Sequence, residues 1–332
     1  MNVKELIRTI NHTLKSHNLF PENSRILVAC SGGPDSMALL YLLQDIATHR
    51  HTTYKIGVAI VDHCIRPESK DEVLWLQHQV EELGLPFYSA TFDVPRLSKE
   101  YKKSEETIGR QVRYQWLTEI ARSEGYDYIS VAHHKDDQAE SILAHIIRGS
   151  GLNGLTGMSV VHFEYAIPVV RPLLDVTKEN LLAYIETKQI SYCVDSTNDD
   201  VRYQRNRIRH RIIPELEAVN PAVVDAIVRL GSSVNEDVMV ISDLTARTFD
   251  KLVSIGKDEV RISRRALRQE PLAIQRRLWQ RLVSTIDPEL MLTSAHQEQL
   301  LDIVNTGEKK TFTIKSIKVI AQCDTIKVYC KH

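Results

Sequence analysis

Apolar residues in the first half of the chain fall into short continuous runs separated by stretches of helical periodicity. The runs are residues 25–30 (RILVAC), 55–62 (KIGVAIVD), 86–94 (PFYSATFDV) and 127–134 (DYISVAHH). MALLYLLQDIATH, VLWLQHQVEEL and ETIGRQVRYQWLTEIARSEG lie between them, and DDQAESILAHIIR follows the last. In these four segments apolar positions recur every three to four residues, as on one face of a helix. Strand-length runs alternating with helices predict βαβ crossovers. The expected fold class is therefore α/β, with a doubly wound parallel sheet.

The pattern changes after about residue 215. NPAVVDAIVRLGSSVNEDVMVISDLTARTFDKLV, LAIQRRLWQRLVSTI and SAHQEQLLDIV all carry helical spacing. The last stretch, KKTFTIKSIKVIAQCDTIKVYC, alternates at strand period around a turn at Cys323-Asp324-Thr325. This predicts a first, α/β domain over 1–215. A smaller, mainly helical domain over 216–332 follows, entered through Pro214 and Asn220-Pro221 and closed by a β hairpin.

Composition narrows the setting. The chain has 332 residues, 42 Lys+Arg against 43 Asp+Glu, and a net charge of -1. That sum excludes a uniformly basic nucleic-acid coat but not a local patch. The five cysteines, Cys30, Cys64, Cys193, Cys323 and Cys330, include no C-x-x-C pair. They read as free thiols in a reducing compartment. The opening segment MNVKELIRTINHTLKSHNLF has helical periodicity rather than the unbroken apolar core of a signal peptide. The longest apolar runs fall well short of the ~20 residues of a membrane span. A cytoplasmic protein with no membrane partner is expected.

The sharpest local signal is Ser31-Gly32-Gly33-Pro34-Asp35-Ser36, directly between a strand and a helix. Two glycines allow a tight turn that brings N–H groups to an anion. The following helix adds free N–H donors and partial positive charge, and Pro34 suits its first turn. No lysine follows, so this is not the Walker loop, nor is it the dinucleotide G-x-G-x-x-G. Asp35 sits where phosphate would lie, and a divalent cation such as Mg2+ would reconcile the two. The alternative is an ordinary capped strand-to-helix turn.

In open α/β sheets, ligands sit beyond the carboxyl ends of the strands. Here those ends carry Asp62-His63 and His133-His134-Lys135-Asp136-Asp137, with Glu140 one turn on. Asp35, Asp62, Asp136 and Asp137 thus share one rim, as in a metal–nucleotide site. The alternative makes Asp136 and Asp137 helix caps. Arg110 and Arg113 are an i,i+3 pair that suits either a solvated face or phosphate. Residues 202–211, RYQRNRIRHR, concentrate arginine beside the nucleotide-type domain and read as functional. Arg261, Arg264, Arg265, Arg268, Arg276, Arg277 and Arg281 form a second group, which fits a solvated helix face better.

Together these segments closely resemble the tRNA(Ile)-lysidine synthetases, members of the N-type ATP pyrophosphatase (PP-loop) superfamily with an adenine nucleotide alpha hydrolase-like fold. The likeness is carried by SGGPDS at 31–36, VDHCIRPES at 61–69 and ETIGRQVRY at 106–114. It continues through AHHKDDQAESILAHIIRGSGLNGLTGM at 132–158, RPLL at 171–174 and DSTNDDVRYQRNRIRHRIIP at 195–214. The first motif marks the superfamily; the segments at 132–158 and 195–214 point to the family.

The resemblance implies that ATP adenylates the C2 oxygen of the wobble cytidine in a CAU-anticodon tRNA(Ile). L-lysine then displaces AMP to give lysidine. Ser31, Gly32, Gly33, Pro34, Asp35, Ser36, Asp62 and His63 would bind ATP. Asp35 and Asp137, with Asp136 as a third candidate, would hold Mg2+. Arg110, Arg113 and His133 would act at the transferring phosphate or the target base. Glu140 would receive the lysine ammonium. Asn198, Arg205, Asn206, Arg207 and Arg209 would contact tRNA, the domain over 216–332 loosely resembles the family's tRNA-binding middle domain, and a homodimer is compatible with the pattern. Ser141 stands where many relatives carry Thr, and Gly109 where many carry Ala. Many relatives also extend beyond residue 332 with a further domain, so the chain reads as a short form. Competing readings are a PP-loop thiolating enzyme, a small-molecule synthetase and a non-catalytic tRNA-binding protein.

Overall fold

The structure is a computed structural model that describes residues 2–50, 52–163, 165–193, 204–257, 259–288, 290–306 and 309–330. The chain forms two compact units, Met1–Ser232 and Ser233–His332. The first opens with α1 (Val3–Ser16), β1 (Arg25–Ala29), α2 (Pro34–His49), β2 (Lys55–Asp62), α3 (Ser69–Glu82) and β3 (Phe87–Thr91). It continues with α4 (Val94–Tyr101), α5 (Glu105–Ser123), β4 (Tyr128–Ser130), α6 (Lys135–Ile147), α7 (Leu152–Leu155), β5 (Val161–His162), β6 (Val169–Val170) and α8 (Lys178–Lys188). Then come α9 (Gln204–Arg207), a π-helical turn (Ile208–Ile212), α10 (Ile213–Val219) and α11 (Val223–Leu252), which contains the division point.

The six strands pair in the order β3-β2-β1-β4-β6-β5, and only β5 runs antiparallel. The first strand of the chain thus lies inside the sheet, between β2 and β4. Alternation along it feeds two cores: Ile26 and Val28 join α1, α2 and α8, whereas Leu27 packs with Leu117 and Ala121 of α5. That division is what a doubly wound sheet requires. Gly57 in β2 is explained by close approach, since an added Cβ would lie 1.9 Å from the Tyr126 hydroxyl. The parallel α/β class expected from the periodicity is observed. The two-residue strands β5 and β6 are additional to the four expected.

In the second unit, β7 (Val253–Ile255) and β8 (Val260–Ser263) precede α12 (Arg264–Gln269), α13 (Leu272–Ile286) and α14 (Ser294–Asn305). The strands β9 (Lys310–Ile314), β10 (Ile317–Gln322) and β11 (Thr325–Cys330) close it. These strands form one antiparallel sheet, β7-β8-β11-β10-β9, around a core centred on the fully buried Trp279. The expected terminal hairpin is β10–β11, and it is the middle of a five-stranded sheet. No helix among the described residues is long and apolar enough to cross a membrane.

Candidate active site

The loop after β1 has the geometry its sequence suggests. Gly32 adopts a φ of +80°, a region that disfavours side chains. Gly33 caps α2 without a side-chain bond, so backbone N–H groups of the first turn face outward. The Ser36 hydroxyl donates to the Gly33 carbonyl at 2.9 Å and accepts from the Ser31 N–H at 3.2 Å. The loop is therefore braced from within, and Cys193 ties its N–H to the Gly32 carbonyl at 2.9 Å.

At the end of β4 the buried ring of His134 gathers three of the four rim carboxylates. Its Nε2 lies 3.6 Å from both Asp35 and Asp137, and its Nδ1 lies 3.3 Å from Asp136. Burial alone would lower its pKa, but the nearness of Asp136, Asp35 and Asp137 overrides that and raises it to about 9. His134 is thus a buried cation at neutral pH. Asp136 also accepts from the Lys178 N–H at 2.8 Å, at the start of α8. The fourth carboxylate, Asp62, goes elsewhere. It is buried and accepts from the Cys64 N–H at 2.8 Å and the Ser69 hydroxyl at 2.7 Å, which organises the turn after β2.

Asp137 and Glu140 lie three residues apart on α6 and are both buried. They meet Arg205 of α9 and Arg209 of the π-helical turn that follows, about one turn apart. Arg205 donates to Glu140 at 2.8 Å and Asp137 at 2.6 Å, and Arg209 to Glu140 at 2.5 Å and Asp137 at 3.0 Å. Burial raises the Asp137 pKa, but the charges of His134 and Arg205 hold it below the usual carboxylate range. Arg205 and Arg209, expected at an RNA surface, thus join the residues expected to hold metal and lysine. Asn206 is half-buried and Arg207 exposed. Asn198 lies outside the described residues.

Two cavities flank the loop. One, of about 280 Å³, is lined by the small residues Ala29, Ala59 and Ala132 with His63, Arg113 and His133. The other, of about 300 Å³, includes Gly33, Asp35, Asp62, His63, Lys178 and Arg209. His133 receives a hydrogen bond from Arg171 Nε at 3.2 Å onto Nδ1, which leaves its proton on Nε2. Burial, reinforced by Arg171, pulls its pKa down to about 3, and burial with Arg113 pulls His63 to about 4. Both rings are neutral, in contrast to their neighbour His134. Arg113 lines the cavity, whereas Arg110 is exposed; both guanidiniums lie over the Tyr114 ring, at 5.4 and 4.7 Å.

The family model for the PP-loop domain matches residues 3–216. The tRNA(Ile)-lysidine synthase of Caldanaerobacter subterraneus subsp. tengcongensis is 30% identical over 327 residues, covering 98% of this chain and 68% of that protein. The chain belongs to the tRNA(Ile)-lysidine synthase family. Other members of the family are similar over a smaller share. The synthase of Thermosipho africanus is 37% identical over 74% of this chain and 56% of its own length, that of Porphyromonas gingivalis W83 35% over 68% and 48%. The chain thus spans about half the length of these two curated relatives. A solved U34-tRNA thiolase, NcsA of Methanococcus maripaludis with its [4Fe-4S] cluster, shares the fold at a TM-score of 0.58 and 21% identity. That alignment covers 70% of this chain and 78% of the thiolase.

Against the family's PP-loop domain, which is ATP-utilising, the donor set can be tested for Mg2+. Asp35 Oδ1 is buried and has no hydrogen-bond partner among the described residues. Asp35 converges with Asp137 on His134, so the two carboxylates suit an ion whose remaining ligands are phosphate and water. Among the described residues no closed cage of three or more His, Cys, Asp or Glu is present, and such an ion needs none. Gly109 is a mild departure within the family, because a Cβ there would make ordinary contact with His63 at 3.7 Å. The candidates drawn from the sequence omitted His134 and Arg171. The i,i+3 spacing of Asp137 and Glu140 against the i,i+4 spacing of Arg205 and Arg209 was a readable sign of the ion-pair network.

Proposed function

We propose that the chain ligates L-lysine to C2 of the wobble cytidine of a CAU-anticodon tRNA(Ile), using ATP. One observation carries the reading: a phosphate-type loop and a buried acidic pair, Asp137 and Glu140, occupy the same strand ends in a member of this family.

In the first step the cytosine O2 forms a bond to the α-phosphorus of ATP, and pyrophosphate leaves. The loop N–H groups with Ser31 and Ser36 would hold the departing phosphates, and the small-residue cavity would take the adenosine. His133, neutral with its proton on Nε2, serves as a hydrogen-bond donor rather than an acid. Arg113, on the same wall, faces the negative charge that develops. Mg2+ held by Asp35 and Asp137 would neutralise charge on the leaving pyrophosphate.

In the second step the lysine ε-nitrogen bonds to C2, the C2–O bond breaks and AMP leaves with that oxygen. Asp137 and Glu140 are suited to a primary ammonium, and Arg205 and Arg209 now fill that role. Lysine entry therefore requires the two arginines to share or release the carboxylates. The ATP triphosphate, and then the released pyrophosphate, offers them an alternative partner.

The test is ATP-dependent incorporation of labelled L-lysine into a CAU-anticodon transcript beside one with a changed wobble base. Label is expected only in the first, with release of AMP and pyrophosphate. Equal label in both, or none with folded protein, would overturn the reading.

A further inference from the structure

A groove of about 550 Å³ runs along the outer face of α5, bounded by Thr107, Arg110, Gln111, Gln115, Arg122 and Tyr165. None of these residues except Arg110 enters the chemistry proposed above. Positions 107, 111, 115 and 122 recur at helical spacing and are all exposed, so they form one continuous stripe. Tyr165 lies on the connection between β5 and β6 and supplies the facing wall.

A stack of two aromatic rings lies between the groove and the catalytic cavity. Tyr114 lines the cavity. Tyr165 stacks on it in parallel, with centroids 4.8 Å apart and an interplanar angle of 10°. Arg110 lies over the Tyr114 ring at 4.7 Å. The groove's chemistry is that of a single-stranded nucleotide site. Tyr165 presents an aromatic wall for a base, and Arg110 and Arg122 offer two guanidiniums to a phosphate. Gln111 and Gln115 add amides that both donate and accept. Among the described residues that line the groove the one carboxylate, Glu119, accepts from Gln115 at 3.3 Å.

The geometry points to this groove as the binding site for the RNA nucleotide adjacent to the one modified. This rests on the reading that the cavity takes one base of an RNA strand. Such a base must leave the stack to reach the loop, and its neighbour must then be held close by. The stack Tyr114–Tyr165 runs from the cavity wall to the groove, so the displaced neighbour has an aromatic surface to rest on. The groove thus holds the strand in register, a binding task distinct from the phosphate chemistry.

The experiment uses the full chain with an anticodon stem-loop RNA and with the same RNA made abasic at either neighbour of the wobble position. Arg122→Ala and Tyr165→Ala should each raise the Kd for the intact RNA roughly ten-fold, the scale of one stacked base. Tyr165→Phe should stay near wild type. ATP binding measured without RNA should not change in any of them. One abasic RNA should bind wild type about ten-fold more weakly and show no further loss with Tyr165→Ala. Wild-type Kd values for both alanine variants, or an abasic penalty equal in wild type and Tyr165→Ala, would overturn the groove assignment. Arg122→Ala, an exposed change, keeps the test valid if Tyr165→Ala folds poorly. Failure of the wild type to incorporate lysine would count against the proposed reaction, whereas the binding arm judges the groove alone.

Discussion

Two arginine-rich stretches, residues 202–211 and 261–281, meet different fates. In the first unit, Arg205 and Arg209 turn inward and share the buried carboxylates Asp137 and Glu140. In the second, four of the arginines find separate local answers. Arg261 pairs with Glu259, Arg276 with Glu298 at 3.8 Å, and Arg281 lies over Phe249 at 5.2 Å. Arg264 is buried and donates to the carbonyls of Val304 and Cys323. Charge density along a sequence therefore does not say where the charge acts. What matters is whether acidic groups lie opposite at matching helical spacing, as on α6.

The sharpest way to break this contrast is Glu140→Gln, which keeps the volume but leaves Arg205 and Arg209 short of a partner. Removing one side of a buried ion pair costs about 3 kcal/mol even where one guanidinium stays half exposed. Denaturant unfolding should show that loss in the first unit together with a collapse of lysine incorporation. An unchanged midpoint would return both arginines to the surface. A smaller effect is expected from Arg264→Ala in the second unit, which orphans buried carbonyls at about 2 kcal/mol. It should lower stability while lysine incorporation per folded molecule holds; a selective loss of incorporation would make Arg264 more than structural. The smallest effect belongs to Arg265→Ala, exposed on α12. Stability should stay within about 0.5 kcal/mol. If the second unit binds tRNA as the sequence suggests, the slope of log affinity against log salt should flatten by about one. An unchanged slope would place the RNA contacts on other residues.

Much of the first unit was legible from periodicity alone. The runs at 25–30 and 55–62 became adjacent parallel strands, and the phosphate loop stands where glycine, proline and the strand-to-helix junction put it. β5 and β6 were not legible, because two residues carry no period. Nor were β7 and β8, which follow a long helix without a distinct apolar run. Single residues were hardest where the partner is distant. The His134 pKa is raised by Asp136 beside it and by Asp35, which arrives from another strand end, and the His133 pKa is lowered by burial, reinforced by Arg171. Adjacent histidines with pKa values of about 9 and about 3 cannot be told apart by local sequence. Asp62 shows the reverse: a carboxylate at a strand end that serves its own turn.

The position of β1 between β2 and β4 also has a consequence for how the molecule is made. β1 can pair with β2 early, but its other edge waits for β4, and Asp35 waits for His134. Closing such a long loop is slow compared with forming local helices. A chain emerging from the ribosome therefore exposes the phosphate loop well before the acidic and histidine groups that complete it. The finished site can serve as a late marker of folding, visible by pulse-labelling hydrogen exchange as protection of the His134 and Lys178 amides, which donate to Asp137 and Asp136, that trails protection in α2.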